Sequence, residues 1–230
     1  VLTLVFDQEP AALPEGGREV CVWRDDAGSS FARALARDGQ RWIEWRDLGV
    51  FAFSLGSTTV RVRATGGVPT AVVADVFVRV LQPIILQALG RQALHASAVL
   101  GTTGVLAFCG VGRSGKSTLA YALGQEGFHQ AADDALVIEP AEAAIRAYLL
   151  PFVPGLREAS RQHFDQRPGL QGLLSPARLT EWAPLRAVLV LRQDASLSQP
   201  GRPERVPPVQ AFSVIVTHAR CFDESDSSHT

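Results

Sequence analysis

The residues of this chain whose types and spacing can do chemistry begin with Gly110-Val111-Gly112-Arg113-Ser114-Gly115-Lys116-Ser117-Thr118. A Gly, four free positions, a Gly, a Lys and then Ser or Thr is the spacing of a phosphate-binding loop. Glycine lets the backbone approach an anion closely because no Cβ intervenes. The loop amides converge as a nest, and the helix that follows adds its positive N-terminal end. Lys116 is the only lysine of the sequence, a compact point charge suited to the β and γ phosphates. The Ser117 hydroxyl is then the expected Mg²⁺ ligand. The ligand this stretch predicts is a nucleoside triphosphate, held with Mg²⁺ by residues Gly110 to Thr118.

A second pattern follows one helix later, in Ala132-Asp133-Asp134. Phosphoryl transfer to a hydroxyl needs a metal-bound triphosphate, an anchoring lysine and a carboxylate to take the proton of the nucleophile. Two adjacent aspartates can divide those tasks, one at the cation and one as base. His95, upstream of the loop, can hold the base in position through a hydrogen bond. The three cysteines, Cys21, Cys109 and Cys221, have neither metal-ligand spacing nor a disulfide framework.

The elements that must position these residues follow from the rest of the chain. A length of 230 residues suits one large domain, or a core domain with a smaller appended lobe, and 47% hydrophobic with 20% charged composition predicts a sizeable core. A strand, the loop and a helix in that order read as an α/β fold. The net charge of −1 gives no electrostatic support for a nucleic-acid or anionic-membrane partner. No apolar run approaches the roughly 20 residues of a membrane span, and no targeting signal is legible at Val1. Cysteine usage favours a reducing, cytoplasmic setting.

Residues 1–68 read as a β-rich lobe, with strands expected at Val1 to Phe6, Glu19 to Trp23, Arg41 to Trp45, Val50 to Leu55 and Thr58 to Ala64. Ser30 to Arg37 reads as a short helix, and Trp42 and Trp45 as core. The lobe has no His, Cys and carboxylate cluster, so its expected role is structural or in substrate recognition. Thr65 to Pro69 breaks the chain, and residues 69–222 read as the catalytic core with a mixed sheet. Thr70 to Leu89 has helical period, with a kink or restart at Pro83 and an end at Gly90. Leu94 to Leu100 and Val105 to Cys109 form a predicted hairpin whose second strand enters the loop, and a helix runs from Ser117 to Gln125. The aspartates are expected exposed, near a strand end or at a bend. Strands are predicted at Ile145 to Leu150 and Leu185 to Leu191, with a polar loop between them over residues 157–184. A last helix runs from Pro208 to Phe222, with Ala211, Phe212, Ile215 and Ala219 inward, before a disordered tail at 223–230.

The run from Leu94 to Pro140 resembles the catalytic core of the HPr kinase/phosphorylase family, bacterial serine kinases related in fold to phosphoenolpyruvate carboxykinase. A His opening the hairpin, a phosphate loop, a helix and an Ala-Asp-Asp turn occur here in that order, as His95, Gly110 to Thr118, and Ala132 to Asp134. The resemblance implies that Asp133 is the base for the acceptor serine, oriented by His95, and that Asp134 and Ser117 ligate Mg²⁺. The Glu-x-Arg-Gly-Leu-Gly-type segment of that family has no equivalent here, the nearest stretch being Pro154-Gly155-Leu156-Arg157. Leu94-His95-Ala96-Ser97-Ala98-Val99 and the short C-terminal part look more like the HPr-kinase-like proteins of peptide natural-product clusters. Some of these, the lasso-peptide kinases, phosphorylate the C-terminal serine of a precursor peptide. The function expected is thus ATP-dependent phosphorylation of a serine on a small protein or peptide. An HPr serine kinase proper, a small-metabolite kinase and a non-catalytic nucleotide sensor are the other readings. The resemblance allows a homo-oligomer, but no interface is legible.

Overall fold

Alternating burial organises the amino-terminal part of the chain. In the computed structural model, described over residues 2–7, 13–25, 27–142, 144–152, 156, 160, 162, 164, 181–193, 196 and 201–220, two compact units are found, Val1–Arg91 and Gln92–Arg220. The helical run after Pro69 therefore groups with the amino-terminal strands, whereas the sequence predicts a division between residues 68 and 69.

The first unit has a six-stranded sheet among the described residues, in the order β1-β6-β5-β4-β3-β2. The strands are β1 (Thr3–Phe6), β2 (Arg18–Arg24), β3 (Ser30–Arg37), β4 (Gln40–Trp45), β5 (Gly49–Ser54) and β6 (Thr59–Ala64). Five of them lie where alternation and turn residues predict. The helix expected over Ser30 to Arg37 is instead β3, paired antiparallel on both sides with β2 and β4. Its Ala and Leu residues favour a helix locally, but burial of Ala32, Ala34 and Leu35 between two strands overrides that preference. Trp42 and Trp45 are half-buried rather than core, with Trp45 tilted against Phe31 at 5.1 Å between ring centroids.

After β6 come α1 (Thr70–Val76), a π-helical turn (Phe77–Leu81) and α2 (Gln82–Ala88). Pro83 sits in the first turn of α2, the turn of a helix in which proline is best tolerated. The Gln82 N–H reaches back to the Phe77 carbonyl, so the wide turn absorbs the irregularity before the proline. Together Thr70–Ala88 make one helical run of 19 residues with mean hydropathy 1.6. By length and composition that run is long enough to cross a bilayer, which corrects the expectation that no stretch approaches this length. Its Val73, Phe77, Leu81 and Ile85 are buried, and Phe77 stacks on Phe51 of the sheet at 6.5 Å.

The second unit is α/β and has, among the described residues, a mixed eight-stranded sheet in the order β10-β8-β9-β13-β12-β11-β7-β14. Its strands are β7 (Gln92–Leu94), β8 (Ser97–Gly101), β9 (Gly104–Cys109), β10 (His129–Ala132), β11 (Leu136–Ala141), β12 (Ala144–Tyr148), β13 (Trp182–Val190) and β14 (Ala219–Arg220). The predicted hairpin is β8–β9, antiparallel and closed at Gly101 and Gly104. The helix α3 (Lys116–Gln125) packs its Ala120 with Val99 and Phe108. Parallel pairing of β13 with β9 sets the end of β13 beside the exit of β9.

The last helix, α4 (Pro208–Thr217), has no buried residue, and Phe212 is 62% exposed. It is thus shorter than the predicted Pro208 to Phe222 and does not turn Phe212 inward. His218 ends it, and the chain pairs as β14 with β7. The predicted tail at 223–230, and most of the loop predicted over 157–184, lie outside the described residues.

Candidate active site at the end of β9

The chain leaves β9 at Cys109 and turns through Gly110 to Gly115 into α3. Two loop residues carry backbone conformations that matter: Gly110 at φ 150° and Gly115 at φ 94°. Gly115 caps α3 with no side-chain bond to the first turn, and a helix N-terminus of this kind suits an anion. Arg113 is also left-handed, at φ 69°, and its carbonyl accepts from Gln193 Nε2 at 3.0 Å. Gln193 lies just past β13, so the strand beside β9 holds the loop crest.

Lys116 is buried, at 6% exposure. Its Nζ donates to the carbonyls of Gly110 at 3.0 Å and Val111 at 3.3 Å. The ammonium thus lies folded within the loop that it would serve. Thr118 points elsewhere in its bonding, with Oγ1 at 3.1 Å from Ser160 Oγ.

The two aspartates differ in placement. Leu136 pairs with Leu94 and Ala132 with Ala98, so β7–β8 and β10–β11 form one antiparallel register with a gap. In that gap Asp133-Asp134-Ala135 faces His95-Ala96-Ser97. Asp133, expected exposed, is in fact buried at 7% exposure. Its Oδ1 accepts from Ser117 Oγ at 2.7 Å and from Ser97 Oγ at 2.7 Å. The two hydroxyl oxygens are 3.4 Å apart. Asp134 is exposed and left-handed at φ 62°, an uncommon state for a residue with a Cβ.

His95 stands in the bend between β7 and β8, half-buried. Its backbone N–H donates to the His218 carbonyl at 2.7 Å. The His218 imidazole lies within electrostatic range of the loop lysine. Burial, and then the positive charge of Lys116, hold it below its ordinary value of 6.5. Under the loop, burial pushes the Cys109 thiol up to about 11, partly opposed by Lys116.

The structure therefore gathers Ser117, Asp133 and the loop, and sets His95 on the facing segment. Sequence reasoning missed Ser97, Gln193 and His218. Ser97 reads as a small residue in an apolar run, and only its 0% exposure with a carboxylate partner marks it out, since a buried hydroxyl is kept where it is bonded.

These residues fit a triphosphate with a hard cation. Ser114 Oγ is buried in the loop with no hydrogen-bond partner, an orphan that a phosphate oxygen would satisfy. Ser117, Asp133 and Asp134 would offer only oxygen donors, the ligand type that Mg²⁺ prefers. No group of three or more His, Cys, Asp or Glu side chains is arranged as a metal cage among the described residues.

No family model matches the chain, and no curated protein matches it. Among solved structures it is similar to the Hpr(Ser) kinase/phosphatase from Coxiella burnetii, at 15% identity and a TM-score of 0.34. The likeness covers 49% of this chain and 66% of that one, just under two thirds of its length.

Proposed function

We propose that this chain is an ATP-dependent kinase that transfers the γ-phosphate to a serine hydroxyl of a small protein or peptide. The observation that carries the reading is the 2.7 Å bond between Ser117 and Asp133 at the mouth of a glycine loop holding a buried lysine. A phosphate loop alone serves switches and motors as well. A carboxylate set on the loop's serine, with a second aspartate next to it in the chain, supports metal-assisted phosphoryl transfer.

In this reading the α3 amides and Lys116 hold the triphosphate, and ATP supplies the γ-phosphoryl group when bound. The acceptor's O–H bond breaks as its oxygen forms a bond to the γ-phosphorus. The proton passes to a site carboxylate, and the bond from phosphorus to the β,γ-bridging oxygen breaks with its electrons left on ADP. The resemblance gives Asp133 the base's task, oriented by His95, and gives the cation to Asp134 with Ser117. The acceptor placed first is a ribosomal natural-product precursor of the lasso type, phosphorylated on its C-terminal serine. A reducing, cytoplasmic setting suits such a substrate.

The test is mass spectrometry of serine-ending precursor peptides after incubation with the chain, ATP and Mg²⁺. One phosphate added by the wild type and none by Lys116→Met supports the reading. Consumption of ATP with label appearing only on a metabolite contradicts the serine acceptor.

A further inference from the structure

Sequence spacing treats the two aspartates as equivalent, but their surroundings are not. Asp133 lies behind two hydroxyls. Ser97 Oγ and Ser117 Oγ both donate to the same oxygen, Oδ1, each at 2.7 Å. Ser97 is fully buried and is carried by β8, the strand that pairs with β10 just before Asp133. A serine hydroxyl has one proton and two lone pairs. With its proton committed to Asp133, Ser117 has its lone pairs turned away from that carboxylate, as a cation ligand requires. Ser97 supplies the second donor that fixes where Oδ1 lies. At 7% exposure, Asp133 offers little surface to an incoming serine, whereas Asp134 is exposed.

We propose that Ser97 and Asp133 are positioning residues that orient Ser117 for the cation, and that Asp134 is the carboxylate that takes the acceptor's proton. This rests on the kinase reading and reverses the roles that the family resemblance implies. Ser97 acts through Asp133, and Asp133 acts through Ser117. Groups in the shell behind a metal ligand change cation affinity by about 10–100-fold when removed. A lost proton acceptor lowers turnover by about 10²–10⁴-fold.

The experiment compares Ser97→Ala, Asp133→Asn and Asp134→Asn in the full chain. Two readouts are used: the Mg²⁺ dependence of ATP binding, by calorimetry, and phosphoryl transfer at saturating Mg²⁺. Ser97→Ala and Asp133→Asn are expected to raise the Mg²⁺ concentration for half-maximal ATP binding by about tenfold or more, with transfer largely restored at high Mg²⁺. Asp134→Asn is expected to keep the wild-type Mg²⁺ dependence and to lose transfer at every Mg²⁺ concentration. Ser97→Cys, close in size but a weaker donor, is expected to fall between wild type and Ser97→Ala, and it is the variant to use if Ser97→Ala does not fold. An unchanged Mg²⁺ dependence in Ser97→Ala or Asp133→Asn overturns the proposal. So does loss of transfer in Asp133→Asn that saturating Mg²⁺ leaves unrepaired. Wild-type chain that binds no ATP at any Mg²⁺ concentration overturns the kinase reading and this proposal with it, whereas the other contrary outcomes leave that reading standing.

Discussion

Replacing Gly110 by alanine tests whether the loop geometry is a structural necessity. A Cβ built on Gly110 meets Ser114 Oγ at 2.5 Å and the Leu191 carbonyl at 2.8 Å. The Leu191 oxygen cannot withdraw easily, because the Leu191 N–H is itself bound to the Cys109 carbonyl at 2.8 Å. Alanine at a φ of 150° is strained as well. A left-handed backbone costs about 1–2 kcal/mol for a residue with a Cβ, and forced overpacking about 1–3 kcal/mol. The sum, about 2–5 kcal/mol, is a large share of the roughly 5–15 kcal/mol that stabilises a typical domain. Thermal unfolding of Gly110→Ala is expected at a Tm lower by roughly 5–15 °C. Gly112→Ala is the control, since nothing lies within 4 Å of its added Cβ, and its stability is expected within about 0.5 kcal/mol of wild type. Equal melting of the two variants would refute the close approach of Gly110 to Ser114 and Leu191.

Further outcomes follow from the burial of His218 and Cys109 near the charge of Lys116. Burial and this ammonium hold the His218 imidazole below 6.5, so the folded chain resists a proton that the unfolded chain accepts. The stability this contributes is complete above 6.5 and is lost as pH falls through the lower folded value. A triphosphate beside Lys116 offsets its charge, so NMR titration of His218 is expected to shift upward when ATP and Mg²⁺ are added. An unmoved midpoint in saturated protein would place the triphosphate away from Lys116. Cys109, with its thiol pushed up to about 11 and fully buried, is expected to resist a disulfide reagent at about pH 8 until the chain unfolds. Its thiol contributes stability below 9.0 that is lost as pH rises towards 11, and prompt labelling of the native protein would contradict its burial.

Local signals were strong where backbone and spacing coincide. The glycines of the loop, the hairpin into it, the restart at Pro83 and five of the amino-terminal strands were legible because turn residues and period mark them. The strand β3 was not, since Ala, Leu and Arg suit a helix and only its two strand neighbours decide otherwise. Asp133 was expected to be exposed because acidic pairs usually are. Its burial depends on Ser97 and Ser117, which come from elements far apart in sequence and meet only once β8 and β10 pair. The outward face of α4 and the pairing of β14 with β7 also lie in tertiary contacts that amphipathic period does not contain. His218 had no motif to announce it, and the bond from its carbonyl to His95 is what brings it to the site.

Everything proposed here stands on a triphosphate in the Gly110 to Thr118 loop. Calorimetric titration of ATP with Mg²⁺ into wild type and Lys116→Met, which keeps the buried stem but removes the charge, tests it most directly. Saturable binding by wild type, weakened by about tenfold or more in Lys116→Met, is the predicted result. No binding by wild type, or equal affinity in the two proteins, would contradict it.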